Sequence, residues 1–585
     1  MRVWRFLFGW CALACAGFAA SPDLIVVGAG IGGLTTALEA ARNGARVLVV
    51  DQSSVFGGHA VASEGGLFLV GTPAQKAQGI VDSPDLAYRD FLTWGEDADE
   101  YWARLYADRA LPDVHDWMSA MGVKFTFVRY TPGNSVARFH ENPQRGFGVV
   151  APIYRECLKT GRVDFQWHAK VTTLLRKNGA ITGVEALHER TGRTLRLEAP
   201  AVVLATGGFQ GSIDLVKRYW PAGLAVPEKI LIGGGIHATG GGHALARAVG
   251  AAEVRMDHMW LYSRGVPDPR YPGTQRGLSV INRAGIAVNR DGNRYHREVS
   301  GEKVAFPAMV SQPGSMSWLV FDEPGKKHTV VAGTDWGDWQ RVEREIFGNP
   351  KLVHKSNTIA ELATLAGISR EGLEQTIARF NRMIAAGVDT DFARFDAANP
   401  PDKQPAGRPP ILPIRQPPFY AIPQYPLTRK SMGGLATDHQ NRVLDGQRKP
   451  IPGLYAVGEV TGFNGINGKA GLEGTFLGPS ILQGRLLGKS LAPSQPRPAT
   501  ILQTHAPSRQ SEAKAPECAS CHPLSKQVTT PRRGYWHFER AHTRVLEKQW
   551  ACAMCHSELT PFQAASHKID RVAQVQSCIH CHAGN

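Results

Sequence analysis

The sequence predicts a mixed α/β protein with a Rossmann-like sheet domain, a second α+β unit in the middle of the chain and a small C-terminal unit with little regular structure. Three observations predict this. Residues 23–52 alternate strand, glycine turn, helix and strand; the α/β alternation stops between residues 257 and 425; and the end of the chain repeats a Cys/His motif in place of apolar runs. Because the chain has 585 residues, we expect about two to four domains.

The N-terminus has the outline of a secretory signal. Basic residues precede an apolar run, and small residues surround Ala19 and Ala20. The run is too short for a stable transmembrane span. We therefore expect residues 1–20 to be a signal peptide that is removed after export, and a lipoprotein site at Cys15 ranks below simple cleavage.

The segment DLIVVGAGIGGLTTALEAARNGARVLVVDQ places a glycine turn between a strand and a helix. Gly28 and Gly30 allow the tight turn and a close approach to a pyrophosphate, and Gly33 allows the helix to pack closely on the strand. The N-terminus of the helix faces the phosphates, and Asp51 at the end of the second strand can accept hydrogen bonds from ribose hydroxyls. The segment therefore predicts a bound dinucleotide.

Later segments decide between the possible dinucleotides. VFGGHAVASEGGLFL is rich in glycine where a chain would run close to a flavin, APAVVLATGGFQG and IPGLYAVGEVTGFNG contain buried strands, and LEGTFLGPSILQGR turns into a helix. The candidate cofactor-binding residues in these segments are Gly57, Gly58, His59, Gly65, Gly66, Thr206, Gly207, Gly208, Glu459, Gly478 and Ser480.

These segments, in this order, resemble the FAD-binding family that includes fumarate reductases and the flavoprotein subunits of succinate dehydrogenase. The resemblance spans about residues 23–492. It implies bound FAD, a Rossmann-like FAD-binding domain at residues 21–256 and 426–492, and an inserted α+β capping domain at residues 257–425. It also aligns His59 with a histidine that carries covalent FAD in succinate dehydrogenases, so covalent attachment remains an alternative to non-covalent binding.

The motif C-x-x-C-H occurs three times near the end of the chain, as Cys518-x-x-Cys521-His522, Cys552-x-x-Cys555-His556 and Cys578-x-x-Cys581-His582. A zinc site would not explain a His after every second Cys, and adjacent C-x-x-C pairs make poor structural disulfides. The motif is the attachment signature of c-type haem, in which two thioethers hold the macrocycle and the His ligates the iron. The sequence therefore predicts three covalently attached c-type haems.

The haem motifs predict a small multihaem cytochrome c domain at residues 517–585, joined by a Pro-rich linker at residues 493–516. One further His per haem lies between the motifs, and we expect these residues to be the distal iron ligands: His537, His542 and His567. Because c-type haem is attached outside the cytoplasm, the motifs support a periplasmic location. Over its whole length, the chain resembles flavocytochrome c fumarate reductases with the haem domain at the C-terminus.

The sequence departs from the fumarate reductases at the catalytic positions that the resemblance implies. Fumarate reductases have a proton-donating Arg, a substrate-binding His, a second substrate-binding Arg and another substrate-facing His; at these places this sequence has Glu302 with Lys303, Lys430 with Arg429, Lys469, and His258 with Tyr262. Lysine is a point charge and lacks the bidentate fork of arginine. We therefore expect a cationic and polar pocket that is not a dicarboxylate clamp.

A second resemblance accounts for these departures. The segments GNSVARFH, LTRKSMGG and GKAGLEGTFLGPS look like a branch of FAD-binding dehydrogenases that is related to ketosteroid dehydrogenases. This resemblance favours an activated CH–CH bond other than that of fumarate. It adds Arg138, His140 and Glu473 to the candidate site residues.

Three functions compete. The first is a periplasmic reductase that draws electrons through the haems, from a quinol-linked membrane donor or a periplasmic cytochrome, and reduces an unsaturated acid or ketone on FAD. The second is a dehydrogenase that sends electrons outward, and the third is an electron carrier without substrate chemistry. Sulfide oxidation would need a redox pair of cysteines near the flavin, where Cys157 is alone. The net charge of +15 is scattered and predicts no nucleic-acid binding.

Overall fold

The structure of the protein is a computed structural model. The described residues are 21–491, except 190, 399 and 403–409. The predicted signal peptide, linker and trihaem domain lie outside them, together with all six motif cysteines and the six predicted iron-ligating histidines. Within the described part of the chain, no helix is long and apolar enough to cross a membrane.

The described chain contains both strands and helices. The strands are β1 Leu24–Val27, β2 Val47–Val50, β3 Leu67–Phe68, β4 Phe127–Arg129, β5 Phe139–Glu141, β6 Val163–Gln166, β7 Ala169–Lys177, β8 Ala180–His188, β9 Arg193–Glu198, β10 Val202–Leu204, β11 Leu231–Ile232, β12 Glu253–Val254, β13 Met259–Pro267, β14 Gly277–Asn282, β15 Ile286–Val288, β16 Ser317–Asp322, β17 Thr329–Val331, β18 His354–Ser356, β19 Phe419–Ser431, β20 Gly434–Leu435, β21 Arg442–Leu444 and β22 Pro450–Ala456.

The α-helices are α1 Ile31–Arg42, α2 Gly58–Val61, α3 Pro73–Ala77, α4 Pro84–Gly95, α5 Glu100–Arg109, α6 Trp117–Ala120, α7 Arg145–Lys159, α8 Ile213–Arg218, α9 Gly241–Ala248, α10 Glu302–Val310, α11 Glu323–Lys326, α12 Trp339–Val342, α13 Ile359–Ala366, α14 Arg370–Ala386 and α15 Leu477–Ser490. Two short π-helical segments lie at Ala110–Asp116 and Glu343–Phe347.

The first domain is built on a six-stranded sheet in the order β21-β22-β10-β1-β2-β6. The five strands from β22 to β6 are parallel, and β21 is an antiparallel edge. The sequences LIVV of β1 and VLVV of β2 are almost wholly buried, as expected for parallel strands that are covered on both faces. This sheet confirms the predicted α/β fold of the domain.

Different layers cover the two faces of this sheet. On one face, Leu24 and Val26 belong to an apolar cluster with residues of α1, α7 and α15. On the other face, Ile25 and Val27 pack with residues of the antiparallel sheet β7-β8-β9. The alternation of side chains along β1 therefore divides the core of the domain into two apolar layers.

Helices α1 and α15 pack against each other through glycine. A Cβ atom at Gly484 would lie 2.7 Å from the carbonyl oxygen of Gly32, and one at Gly488 would lie 2.6 Å from that of Thr36. Such contacts are shorter than any side chain tolerates, so the glycines set the distance between the helix axes. This packing brings the N-terminal ends of both helices to the end of the sheet at which β1 and β22 finish.

The second domain is an antiparallel sheet in the order β15-β16-β19-β13-β14-β17, with β11 and β18 also paired to β19. Residues of α13 and α14 form an apolar cluster on one part of it with Trp318 and Val320. A single strand, β19, runs from Phe419 to Ser431 and so crosses the expected domain boundary at 425/426. This strand carries Arg429 and Lys430 from the capping sheet to the edge of the first domain.

Candidate active site

The glycine turn after β1 has the geometry of a dinucleotide site. A Cβ atom at Gly33 would lie 2.0 Å from the carbonyl oxygen of Gly28, so that α1 approaches β1 as closely as a backbone can. A Cβ atom at Gly28, whose φ is +110°, would lie 2.4 Å from the carbonyl oxygen of Ala205. At Gly30, by contrast, the nearest atom would be 3.9 Å away, which leaves room for a ligand at the turn.

The N-terminus of α1 has no side-chain cap and no acidic residue in its first turn. Its N-cap is Gly30, and the residues of its first turn are buried. Backbone N–H groups at such an end carry partial positive charge and bind phosphate well. The structure therefore offers a pyrophosphate position between α1 and the turn.

Asp51 follows β2 and is fixed by two backbone donors. The N–H of Ala29 donates to Oδ2 at 2.6 Å, and the N–H of Ser53 donates to Oδ1 at 2.7 Å. Burial raises the pKa of Asp51, although these two hydrogen bonds act against the rise. Each carboxylate oxygen retains a lone pair, so Asp51 can still accept hydrogen bonds from ribose hydroxyls.

The second glycine-rich segment lies over this turn. The N–H of Gly57 donates to the carbonyl of Ala29 at 2.7 Å, and Gly58 would place a Cβ atom 3.5 Å from the Cα of Gly30. Gly65 and Gly66 are packing positions, since a Cβ atom there would overlap Arg145 and the ring of Phe139, respectively.

The strand β10 ends in Thr206, Gly207 and Gly208. The buried hydroxyl oxygen of Thr206 has no hydrogen-bond partner within the described residues. Gly207 has a φ of +73° and would meet only one atom within 4 Å, at 3.7 Å. Gly208 instead lies against Ser431 and Glu459. An unpartnered hydroxyl beside an open glycine fits a site for a polar cofactor.

Glu459 follows β22 and is held by residues of β19. Lys430 Nζ donates to Oε2 at 3.1 Å, and the N–H of Ser431 donates to Oε1 at 3.0 Å. The ring of His59 lies next to this pair, with Lys430 Nζ 2.9 Å from Nδ1 and Arg429 3.3 Å from Nε2. Burial, followed by the charges of Lys430 and Arg429, lowers the pKa of His59 well below its ordinary value, so its ring is neutral.

The helix α15 begins at Leu477, also without a side-chain cap or an acidic residue in its first turn. Gly478 allows this turn to lie against Tyr106, whose hydroxyl a Cβ atom would overlap. The hydroxyl of Ser480 donates to the carbonyl of Phe476 at 2.7 Å and so belongs to the helix. With the glycine turn, Asp51 and Thr206, this uncapped end completes a groove whose chemistry fits FAD.

A cavity of about 110 Å³ lies between the first domain and the capping domain, and both domains contribute to its wall. Segments of the first domain contribute Glu64, Trp94, Arg129 and Glu473 to its wall, and strands and helices of the capping domain contribute most of the rest. Aromatic and charged side chains share the lining, a composition typical of catalytic pockets.

One guanidinium joins two carboxylates in this cavity. Arg264 NH2 donates to Glu473 at 3.1 Å, and Arg264 Nε lies 3.2 Å from Glu302. The hydroxyl of Tyr262 lies 3.0 Å from both carboxylate oxygens of Glu473, and Arg264 lies 4.1 Å from the centre of the Tyr262 ring. The N–H of Ser263 donates to Glu302 at 2.8 Å.

Burial sets the protonation of this cluster. It raises the pKa of Tyr262, and the charge of Glu473 raises it further, so the hydroxyl stays protonated at neutral pH. Burial also raises the pKa of Glu302, against the opposing effect of Arg264. A buried hydroxyl on a carboxylate, beside a carboxyl group that binds protons readily, can hold and transfer a proton.

A second ion pair lines the cavity. Arg129 NH2 donates to Glu64 at 3.2 Å, and Arg129 also binds Glu141. Burial alone would raise the pKa of Glu64, but the charges of Arg129 and Arg145 outweigh it and lower the pKa. The cations Arg129 and Arg264 are thus both neutralised by carboxylates of the protein.

His258, Lys303 and Lys469 are not among the residues that line this cavity. His258 lies 3.5 Å from Asp97, and burial lowers its pKa although Asp97 acts against the fall. Lys469 has a 60% exposed side chain whose nearest carboxylate is that of Glu96, at 3.9 Å. Lys303 binds the same Glu96 at 2.8 Å and the carbonyl of Trp94 at 2.8 Å.

Arg138 and His140 belong to a buried structural network. Arg138 is fully buried and binds both Asp82 and Asp90. His140 lies 2.7 Å from the hydroxyl of Thr72 and 2.8 Å from the carbonyl of Arg138, and burial lowers its pKa to about 4.

The sequence reasoning singled out Tyr262, Glu302 and Glu473, which the structure brings together. It missed Arg264, the residue that joins them, although Arg264 lies two positions beyond Tyr262 on the same strand. It also missed Trp260 and Glu64 in the cavity wall. Because side chains alternate along a strand, the choice of Tyr262 on β13 could have led to Trp260 and Arg264 as neighbours on the same face.

Within the described part of the chain, no group of three or more His, Cys, Asp or Glu residues is arranged to hold a metal ion. Cys157 is buried, and burial raises its pKa; its thiol lies 3.4 Å from the carbonyl of Leu34. These observations fit a structural role for Cys157.

Comparison with known proteins shows the family to which the chain belongs. The profile of the family described as "FAD binding domain" matches residues 23–475. A probable fumarate reductase of Shewanella frigidimarina is 28% identical over 82% of this chain and 76% of its own length. A KsdD-like steroid dehydrogenase of Mycobacterium tuberculosis is 30% identical over 81% of this chain and 96% of its own length.

Among solved structures, the open conformation of a flavocytochrome c3 fumarate reductase superposes with a TM-score of 0.64 at 27% identity. The match covers 81% of this chain and 79% of that one. The family match at residues 23–475 includes the glycine turn, Asp51 and every residue of the cavity wall, and it ends before α15 begins.

Proposed function

We propose that this protein reduces a carbon–carbon double bond next to a carbonyl group. The proposal starts from its family: the chain belongs to the FAD-binding-domain proteins and is an oxidoreductase acting on CH–CH groups. The observation that carries this proposal is the cluster in which Arg264 joins Glu302 and Glu473, with the hydroxyl of Tyr262 on Glu473. It places a proton-holding group beside a cavity that both domains line.

Bound FAD supplies the two-electron hydride chemistry of the reaction. Reduction of the double bond also needs one proton at the carbon that does not receive hydride. Burial and Glu473 keep the hydroxyl of Tyr262 protonated, and Tyr262 can deliver this proton when its O–H turns from Glu473 to the substrate. Glu473 and Arg264 fix the orientation of that hydroxyl, and a positioned proton donor contributes about 10²- to 10⁴-fold to a rate.

The ion pairs of the cavity favour a substrate without two carboxylates. Arg129 is bound to Glu64 and Glu141, and Arg264 to Glu302 and Glu473. Binding a dicarboxylate would break such pairs, and breaking a buried pair costs about 3–5 kcal/mol. We therefore propose an unsaturated ketone or a singly charged unsaturated acid as substrate, and not fumarate.

Electrons reach FAD, in this proposal, through the haem-binding tail. Three C-x-x-C-H motifs between residues 518 and 582 support three c-type haems, with His522, His556 and His582 as iron ligands. His537, His542 and His567 are the proposed distal ligands. The N-terminal signal supports a periplasmic location, where a quinol-linked membrane protein or a soluble cytochrome donates the electrons.

A dehydrogenase working in the opposite direction is the second candidate. It is favoured by the similarity to the KsdD-like steroid dehydrogenase, which extends over 96% of that protein. In this direction Tyr262 would pass a substrate proton to Glu473, and the electrons would leave through the haems. Burial keeps the hydroxyl of Tyr262 protonated, so the resting cluster starts in the form that can give up a proton, and we therefore propose reduction as the direction.

The experiment uses the full chain loaded with haem and FAD and follows the oxidation of reduced methyl viologen. Cyclic enones, singly charged enoates and fumarate are compared as acceptors. We expect turnover with an enone or an enoate and at least about tenfold lower kcat/KM with fumarate. Efficient turnover of fumarate would contradict the proposed substrate class. Reduction of the haems by a saturated ketone, with no enone reduced, would establish the dehydrogenase instead.

A further inference from the structure

One buried hydrogen-bond donor in the cavity wall has no partner. Trp260 lines the cavity and is 4% exposed, and its indole Nε1–H makes no hydrogen bond within the described residues. A buried donor without an acceptor costs free energy, so such groups are rare outside sites that receive a ligand. Because Trp260 belongs to the cavity wall, a ligand bound in the cavity is the candidate acceptor for this donor.

The other polar groups of the wall are already engaged. Trp94, the second indole of the cavity, donates from Nε1 to the carbonyl of Gly471 at 3.1 Å. Arg264 pairs with Glu302 and Glu473, Arg129 pairs with Glu64, and Glu298 pairs with Arg294. His296 Nδ1 is the remaining buried wall atom without a partner among the described residues, and its tautomer decides whether it donates or accepts. Trp260 differs because indole nitrogen can only donate.

Trp260 lies beside the proton-holding cluster. It is two positions before Tyr262 on β13, and the two rings meet edge to face with 6.2 Å between their centres. Its backbone pairs with that of Lys430, so it lies on the strand pair that reaches the cofactor groove. A ligand held by Trp260 is therefore within reach of Tyr262.

We infer that the indole N–H of Trp260 binds the carbonyl oxygen of the substrate. This assignment rests on the proposed function and deepens it, since it names the group that the site recognises. A single neutral donor suits the oxygen of a ketone or of one enoate group, and it does not compensate the negative charge of a second carboxylate. Hydrogen bonding to that oxygen withdraws electron density from the conjugated double bond, and it stabilises the negative charge that develops there when hydride adds to the far carbon.

The test replaces Trp260 by phenylalanine, which keeps an aromatic ring and removes the donor. Trp336 supplies a matched control, because its Nε1–H is equally buried and equally unpartnered within the described residues, at 3% exposure, and it is not part of the cavity wall. We expect Trp260→Phe to lower kcat/KM for cyclohex-2-enone about 10- to 100-fold. Trp336→Phe should keep kcat/KM within about twofold of the wild-type value.

A second readout does not depend on turnover. The chain has 13 Trp residues, and the indole resonance of Trp260 in a ¹⁵N-Trp-labelled sample is the one lost in Trp260→Phe. We expect cyclohex-2-enone, added to the oxidised FAD-loaded protein, to shift this resonance downfield and to leave that of Trp336 in place.

The outcomes separate this inference from the proposed function. A shifted Trp260 resonance without turnover of any enone would support the inference and remove the proposed reductase activity. Normal turnover in which Trp260→Phe equals Trp336→Phe would overturn the inference and leave the function standing. A Trp260 resonance that moves when FAD is added to the apoprotein, and not with cyclohex-2-enone, would also overturn it, since the donor would then belong to the cofactor.

Discussion

The hydroxyl of Tyr262 lies 3.0 Å from each carboxylate oxygen of Glu473, across 211 residues of sequence. Tyr262 comes from the capping sheet, and Glu473 comes from the loop that leads into α15. The contact therefore exists only when the two domains meet. It joins the candidate proton donor to the segment that precedes the uncapped end of α15.

Replacing Tyr262 by phenylalanine removes the proton donor and keeps the ring. We expect kcat to fall about 10²- to 10⁴-fold, with a smaller change in KM, because the hydroxyl acts mainly in the transition state. The measurement is steady-state viologen oxidation with the best enone. Tyr295→Phe is the control, since Tyr295 lines the cavity and burial raises the pKa of its hydroxyl as well. Equal losses in both variants would contradict a donor role for Tyr262.

Glu302 gives a prediction about pH and stability. Because burial raises its pKa above the ordinary value of 4.5, its protonated form stabilises the fold and its ionised form does so less. The stability that it contributes is present in full below about pH 4.5 and is lost as the pH rises through the folded value. Glu302→Gln should therefore gain stability relative to the wild type between pH 5 and pH 8, as measured by urea unfolding.

The control for this prediction is Glu96→Gln, whose carboxylate is half exposed and pairs with Lys303. We expect its difference from the wild type to change little over the same pH interval. A stability difference for Glu302→Gln that shrinks as the pH rises would show that Arg264 lowers the pKa of Glu302 more than burial raises it.

Much of the first domain was predictable from sequence because its determinants are local. The glycine turn, the buried strands and Asp51 each follow from a short pattern, and the structure forms the strand–turn–helix that they predict. Gly33, for example, is required by a contact only five residues back along the chain, with Gly28.

The cavity was less predictable because it depends on contacts between distant segments. The sequence of β13 shows Trp260 and Tyr262 as alternate residues of an apolar strand, and nothing in it distinguishes an indole with a partner from one without. Lys469 shares a short loop with Glu473, yet it points to the surface while Glu473 lines the cavity. Tertiary packing sets these different positions of two side chains that belong to the same five-residue stretch.

Two glycines of the turn after β1 should respond differently to alanine. Gly33→Ala forces a Cβ atom to within 2.0 Å of the Gly28 carbonyl, so we expect loss of stability of about 2–4 kcal/mol or no folded protein. Gly30→Ala meets no atom closer than 3.9 Å and should fold, with FAD affinity about 10- to 100-fold lower. Thermal unfolding of the apoproteins and FAD titration measure the two effects. Unchanged FAD affinity in Gly30→Ala would contradict the placement of the pyrophosphate.

Replacing the two lysines that were predicted from sequence should have different effects. Lys430 has a 10% exposed side chain bound to Glu459, whereas the side chain of Lys469 is 60% exposed. Lys430→Gln leaves a buried carboxylate beside the cofactor groove without its cation, so we expect FAD affinity to fall at least about tenfold. Lys469→Gln should change FAD affinity and kcat/KM by less than about twofold. A larger loss of kcat/KM in Lys469→Gln than in Lys430→Gln would contradict this assignment.

The tail gives a stoichiometric prediction. Replacing Cys518 and Cys521 by alanine removes both thioether positions of one motif, so the pyridine haemochrome of the purified protein should fall from three haems per FAD to two. The flavin should still be reduced by dithionite. A ratio that stays at three, or a wild-type ratio other than three, would contradict one haem per motif.

Anaerobic stopped-flow spectroscopy tests the central claim most directly. The flavin of the full, haem-loaded protein is reduced with dithionite and mixed with cyclohex-2-enone or with fumarate, in the wild type and in Tyr262→Phe. The account predicts rapid flavin reoxidation by the enone in the wild type, slowed about 10²- to 10⁴-fold in Tyr262→Phe, and little reoxidation by fumarate. Reoxidation by fumarate as fast as by the enone, or at the same rate in both proteins, would contradict it.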